Sequence, residues 1–428
     1  MNAEPHKYQR RVIDRVLDLL QPELPAIAIE GPRAVGKTRT ALERAETVVR
    51  LDDPAELELA RSEPARLLEG KAPILIDEWQ RLPEVWDLVR RAVDDGASPG
   101  SFILTGSAIR AKSPTHSGAG RITTVRMRPM TLAERGFQTR VSVSALLRDE
   151  RPPITGSTAF ALTDYVGEIL DSGFPGVRTL SERSIRAQLD AYLSHVIEHD
   201  IPDDAGKLVR NPTALRRWMT AYAAAISTTT SFEKIRDAAS PGNTQKPTKV
   251  TSLGYRDALA MVWLLDEIPA WSPTFNHLRR LAVAPKHQLA DPALAARLLG
   301  LSSSALLENK IGGPLIPRDG TYLGALFESL ATLSVRVFAD AAEATTGHLR
   351  TRAGEQEVDL VVIRPDGRII AIEIKLARTI DDADVRHLHW LEERIQDQML
   401  DKVIITTGPE AYRRPDGVAV IPLALLGP

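Results

Sequence analysis

Apolar residues recur along the chain in two rhythms. Short continuous runs that suit buried strands lie at 26–30 (AIAIE), 47–51 (TVVRL), 72–76 (APILI) and 101–105 (SFILT). Between them, helix-compatible stretches occupy 8–20, where Val12, Val16, Leu19 and Leu20 share one face, and 39–45, 54–68 and 83–93. Strands alternating with helices predict an α/β fold on a parallel sheet. Residues 138–160 carry Arg, Ser, Pro and Gly without sustained periodicity and read as a linker or mobile loop. From 164 to 218 the pattern is helical, and Asp200-Ile201-Pro202 stops it. Helices at 215–227, 231–239 and 251–265, then extended segments at 268–273 and 284–289, predict a winged helix-turn-helix. An apolar helix from 323 to about 337 precedes two β-branched runs, 357–363 and 368–375, which form a hairpin around Arg364-Pro365-Asp366-Gly367.

The first strand runs straight into Gly31-Pro32-Arg33-Ala34-Val35-Gly36-Lys37-Thr38, the phosphate-loop pattern GxxxxGK[ST] between a strand and a helix. Gly31 and Gly36 let the backbone N–H groups curl towards one phosphate chain. Lys37 supplies a point charge, and the Thr38 hydroxyl is a Mg²⁺ ligand. An apolar strand ending in Asp77-Glu78 is the Walker B pattern, with Asp77 holding Mg²⁺ and Glu78 polarising the attacking water. ATP and Mg²⁺ are therefore the expected cofactors. At the end of the next strand Ser107, or Thr105, is placed to bond the γ-phosphate or lytic water; the alternative is a strand-end turn. Arg121 is either an arginine finger offered across a subunit interface of a homo-oligomer or a solvated loop arginine.

The chain has 428 residues, too many for one ordinary core, and 43% apolar and 26% charged residues, as in soluble globular proteins. No apolar run of about twenty residues and no signal-peptide core is evident, so no membrane partner and a cytoplasmic location are expected. There is no cysteine, which excludes disulfides and thiolate metal sites. With a formal net charge of −2, any DNA or RNA binding must come from local patches. The expected wing offers His277, Arg279, Arg280, Lys286 and His287 for phosphate contacts, although such a module often serves only packing.

In the tail hairpin, Asp359 and Glu373 are equidistant from Asp366, so a loop centred there makes them cross-strand neighbours, roughly 5 Å apart at Cβ. Glu373 and Lys375 share a face. Two facing carboxylates beside a lysine suit Mg²⁺ or Mn²⁺ and phosphodiester cleavage; a salt-bridged sheet face is the alternative.

Together, GPRAVGKT, LIDEWQRLPEVWDLVR, FILTGSA, GAGRI with MRPMTLAERG, SGFPG, HLRRLAVAPKHQLADPALAARLLG and EVD…IEIK resemble the bacterial and archaeal AAA+ ATPases that end in a domain of unknown function. The resemblance implies a P-loop AAA+ core over 1–137, a linker and helical region over 138–210, a winged-helix-like region over 211–300, and a restriction-endonuclease-like α/β domain of the PD-(D/E)XK type over 301–428. It matches Ser107 to a sensor position and Arg121 to the finger. It matches Glu328, Asp359, Glu373 and Lys375 to the nuclease pattern, without the proline before Asp359 and without a clear second sensor arginine. The implied function is an ATP-hydrolysing protein coupling its ATP/ADP cycle to nucleic-acid binding or metal-dependent cleavage; the alternative is a switch or scaffold with a non-catalytic tail.

Overall fold

The computed structural model describes residues 8–107, 119–148, 151–201, 211–240, 246–273, 283–307, 320–351 and 354–428. After helix α1 (Val12–Leu20), strands β1 (Ala26–Glu30), β2 (Thr47–Arg50), β3 (Ile74–Asp77), β4 (Phe102–Gly106) and β5 (Thr123–Arg126) form one sheet in the order β2-β3-β4-β1-β5. Every pairing in it is parallel. The central strands β1, β3 and β4 run apolar because both faces are covered, whereas the edge strands β2 and β5 are only partly buried. Ala26 and Ala28 pack with Trp86 and Val89 of α4 (Glu84–Asp94), whereas Ile27 and Ile29 face the core that the sheet shares with the rest of the molecule. Helices α2 (Lys37–Leu42) and α3 (Pro54–Ser62) complete this unit.

The helical middle follows as expected, with helices Leu162–Leu170, Glu182–His195, Pro212–Ala224, Phe232–Ala238 and Lys249–Met261. Trp218 and Tyr222 are fully buried at its centre. Two extended segments then pair antiparallel at Leu265–Leu289 and Ile268–Lys286. Of the expected wing cations, His277, Arg279 and Arg280 lie outside the described residues. Lys286 and His287 are both 0% exposed, so their side chains do not present a phosphate-binding surface. Lys286 is drawn inward by acids of the tail, and the His287 ring packs against Tyr222 and Phe232 with its Nε2 2.6 Å from Thr230 O.

The tail is a mixed sheet of β7 (Gly156–Ser157), β8 (Thr345–Arg350), β9 (Glu357–Ile363), β10 (Ile369–Lys375), β11 (Met399–Thr406), β12 (Glu410–Arg413) and β13 (Ala419–Pro422), in the order β7-β12-β13-β11-β10-β9-β8. Ile370 and Ile372 face the long helix Gly320–Ala341, and Ile369 and Ala371 pack with Leu388 and Leu391 of helix Asp382–Ile395. Over Tyr322–Ala341 the long helix is apolar enough by composition to cross a membrane, yet 72% of that window is buried against the rest of the chain.

The stretch read as a linker, 138–160, is instead built into the tail in its described part. β6 (Val141–Ser142) pairs with β14 (Leu426–Gly427), and β7 extends the large sheet beside β12. Leu147 O accepts from Arg364 at 2.7 Å, and Pro152 O accepts from Arg413 at 3.0 Å. These edge strands are too short to show an alternating pattern, and their pairing partners lie more than two hundred residues away.

The candidate nucleotide site and the acidic cluster of the tail

The phosphate loop leaves β1 at the carboxyl edge of the parallel sheet, where ligands sit in such folds. A Cβ at Gly31 would lie 2.1 Å from the carbonyl oxygen of Met127, so only glycine fits this approach. Gly36 caps α2 with φ +104°, a conformation that strains any other residue. Lys37 is buried and donates to the carbonyls of Gly31 at 2.9 Å and Pro32 at 2.8 Å, which holds its ammonium inside the loop. Burial lowers its pKa to about 8 despite the nearby Glu78 and Asp77. Arg11 braces the loop from outside, donating to Val35 O at 2.9 Å while paired with buried Glu134 at 2.9 Å. Arg33 is paired with Asp200 at 2.8 Å, just beyond the helix Glu182–His195.

Thr38 Oγ1 donates to Asp77 Oδ1 at 2.9 Å, so the two oxygen groups expected to ligate Mg²⁺ already adjoin. Oxygen donors of this type suit that hard cation. The register β3–β4 sets Asp77 beside Thr105, whose hydroxyl also donates to Asp77. Thus Thr105, rather than Ser107, touches Asp77. Ser107 instead accepts from Gln80 at 3.2 Å, and the same amide nitrogen reaches Glu78 Oε2 at 2.6 Å. Glu78 has φ +54°, which turns it out of the strand line. Burial raises its pKa, with Lys37 opposing. Gln80 as the link between Glu78 and Ser107 was not foreseen; a polar side chain two residues past Glu78 was the available signal.

Arg121 lies at the opposite edge. It precedes β5, whose first residue pairs level with Ile27, and its Nε contacts Asp94 at 2.7 Å, at the far end of α4. At about 3.3 Å per strand residue the first residue of β5 lies roughly 13 Å from the phosphate loop along the sheet, and Arg121 lies beyond it.

In the tail, β9 and β10 pair Ile363 with Ile369 through Leu360 with Ile372, so Asp359 and Glu373 come next in register, as the spacing around Asp366 predicts. Their carboxylates engage neighbouring donors. Asp359 Oδ2 accepts from the Ile374 N–H at 2.9 Å and Glu373 Oε2 from Lys375 at 2.8 Å. Glu328, on the long helix, is 2.8 Å from Lys286 Nζ, which also lies 3.1 Å from Asp359 Oδ1. Burial and the neighbouring Asp359 raise the pKa of Glu373, with Lys375 opposing. For Asp359 the upward push of burial is outweighed by Lys286, the Ile374 N–H and Lys375, leaving it below its ordinary range. Among the described residues, no group of three His, Cys, Asp or Glu is arranged to hold a metal ion.

A third cluster ties the units together. Asp266, a buried carboxylate, is paired with Arg126 of β5 at 2.8 Å, with Arg128 just beyond it at 2.7 Å, and with Arg336 of the long helix at 2.8 Å. Arg128 also pairs with Asp340 of that helix. One carboxylate of the middle region thus joins the nucleotide unit to the tail.

Residues 23–135 match the model of an AAA domain, 162–305 that of a domain of unknown function (DUF8612), and 323–426 that of another domain of unknown function (DUF4143). The first of these segments holds the parallel sheet and the phosphate loop. Two uncharacterized proteins, from Mycobacterium bovis and Mycobacterium tuberculosis, are each 24% identical over 322 residues, which cover 72% of this chain and 63% of theirs. The match therefore spans less than two thirds of those relatives' length. Among solved structures, the Walker-type ATPase of Pyrococcus abyssi has a TM-score of 0.41 at 15% identity, covering 68% of this chain and 96% of that one. The ORC2 protein of Aeropyrum pernix has a TM-score of 0.31 at 14% identity, covering 70% and 94%.

Proposed function

We propose that this chain is an ATP-hydrolysing protein of the AAA+ type, in which nucleotide state is relayed through the Asp266 cluster to a tail that binds a nucleic acid or protein partner. The observation that carries the ATPase reading is the adjacency of Lys37, Thr38, Asp77 and Glu78 at the carboxyl edge of the sheet. Lys37 would hold the β- and γ-phosphates, and Thr38 and Asp77 would hold Mg²⁺, which supplies charge neutralisation on the phosphates. Glu78, steadied by Gln80, would orient and polarise the attacking water. Three helices followed by two bridged segments support a winged-helix-like reading of 211–300. The hairpin register favours the competing reading of metal-dependent cleavage by Glu328, Asp359, Glu373 and Lys375. The engagement of those acids by lysines favours a tail that binds without cutting. Salt-dependent titrations of single- and double-stranded DNA and RNA, with and without ATP, test the output: a nucleic-acid-binding tail gives affinity that falls with salt.

Arg121 sits on the wrong edge to serve its own loop, which supports a role in trans. Turnover per subunit is then expected to rise with protein concentration, and Arg121→Ala to lose most of it while keeping ATP affinity. Steady-state hydrolysis over a concentration series checks this. Concentration-independent activity, unchanged in Arg121→Ala, would leave Arg121 a surface residue paired with Asp94.

A further inference from the structure

The acids of the tail would need free oxygens converging on one point to take a divalent cation, and the described arrangement does not fit that requirement. Of the cluster's carboxylate oxygens, Glu328 Oε1 and Asp359 Oδ1 face Lys286 Nζ, Asp359 Oδ2 accepts a backbone N–H, and Glu373 Oε2 accepts from Lys375. Glu373 Oε1 is buried without a hydrogen-bond partner.

Lys286 belongs to neither strand of the hairpin. It comes from the extended segment after the middle helices, its side chain is 0% exposed, and its Nζ also lies 3.2 Å from Asp359 O and 3.8 Å from Glu357 Oε1. A lysine rarely goes fully into a protein interior, because an unpaired buried ammonium is costly. Here three acids surround it, so a compact cation already stands between Glu328 and Asp359. Its segment pairs with the extended segment 268–273, and the pair is held by backbone bonds. Lys286 N and Ile268 N each donate to the other's carbonyl at 2.9 Å, and Trp271 N donates to His348 O of β8 at 2.6 Å.

We propose that Glu328, Asp359 and Glu357 form a socket for the Lys286 ammonium, which engages the Glu328 and Asp359 oxygens that a divalent cation would need. The socket clamps the middle region to the tail, and the tail is not a metal-dependent nuclease in this state.

Two measurements on the full chain test it. In nucleotide-free protein, calorimetric and paramagnetic-resonance titrations with Mn²⁺ alone are expected to show no bound ion that depends on Asp359. A stoichiometric Mn²⁺ site in the natural chain, lost in Asp359→Asn, would overturn the proposal. In thermal melts, Lys286→Met leaves the socket acids without a counter-ion, and its midpoint is expected to fall by on the order of 5 °C or more. The triple variant Lys286→Met/Glu328→Gln/Asp359→Asn removes the cation with its two closest acids and is expected to recover most of that loss. If Lys286→Met does not fold, a folded triple variant gives the same contrast. A Lys286→Met midpoint equal to that of the natural chain, or a triple variant no more stable than the single one, would overturn the proposal.

Discussion

Glu78→Gln is expected to keep ATP binding and to lose turnover by about 10²–10⁴-fold, the usual contribution of a positioned base. Its carboxylate lies beside the loop but makes none of the contacts that shape it: Lys37 is held by the carbonyls of Gly31 and Pro32, and Thr38 by Asp77. The amide of glutamine keeps the size of the side chain and loses the ability to draw a proton from water. Lys37→Ala removes the ammonium from the cradle itself, so affinity is lost along with turnover. Single-turnover hydrolysis with saturating ATP separates the two. A Glu78→Gln enzyme as fast as the natural one would assign water activation elsewhere.

The second large effect is on stability. Asp266→Asn leaves Arg126, Arg128 and Arg336 around a neutral amide in the interior, and removing one partner of a buried ion cluster costs about 3–5 kcal/mol. Urea denaturation of the variant beside the natural chain checks this, and matching midpoints would contradict it. The pH dependence has a definite sign. Burial alone would push the Asp266 carboxyl up, but the three guanidinium groups more than offset this and hold it far below the ordinary carboxylate range. A depressed folded-state pKa contributes stability that is fully present above about pH 4, the unfolded value, and is lost as pH falls below it. The acid limb of the stability profile should therefore be shallower in Asp266→Asn.

What could be read directly from the sequence was what depends on local spacing. The phosphate loop is eight consecutive residues whose order states its chemistry, and the hairpin register follows from symmetry about Asp366, as the pairing of Leu360 with Ile372 shows. Pairings between distant segments were less accessible. Ser107 and Thr105 read alike as strand-end hydroxyls, and only the β3–β4 register sets Thr105 against Asp77. Lys286 reads as a wing cation in sequence because the acids that bury it come 42 and 73 residues later. The stretch 138–160 reads as a linker because the strands that pair with β6 and β7 lie at the far end of the chain. Asp266 carries no local signal at all, since its three arginines come from two other units.

The most direct test of the ATPase reading is a calorimetric titration of ATP with Mg²⁺ into the natural chain and into Lys37→Ala. Saturable binding to the natural chain, abolished in Lys37→Ala and preserved in Glu78→Gln, is the expected result. Equal binding of ATP by Lys37→Ala and the natural chain would contradict the assignment of residues 31–38 as the nucleotide site.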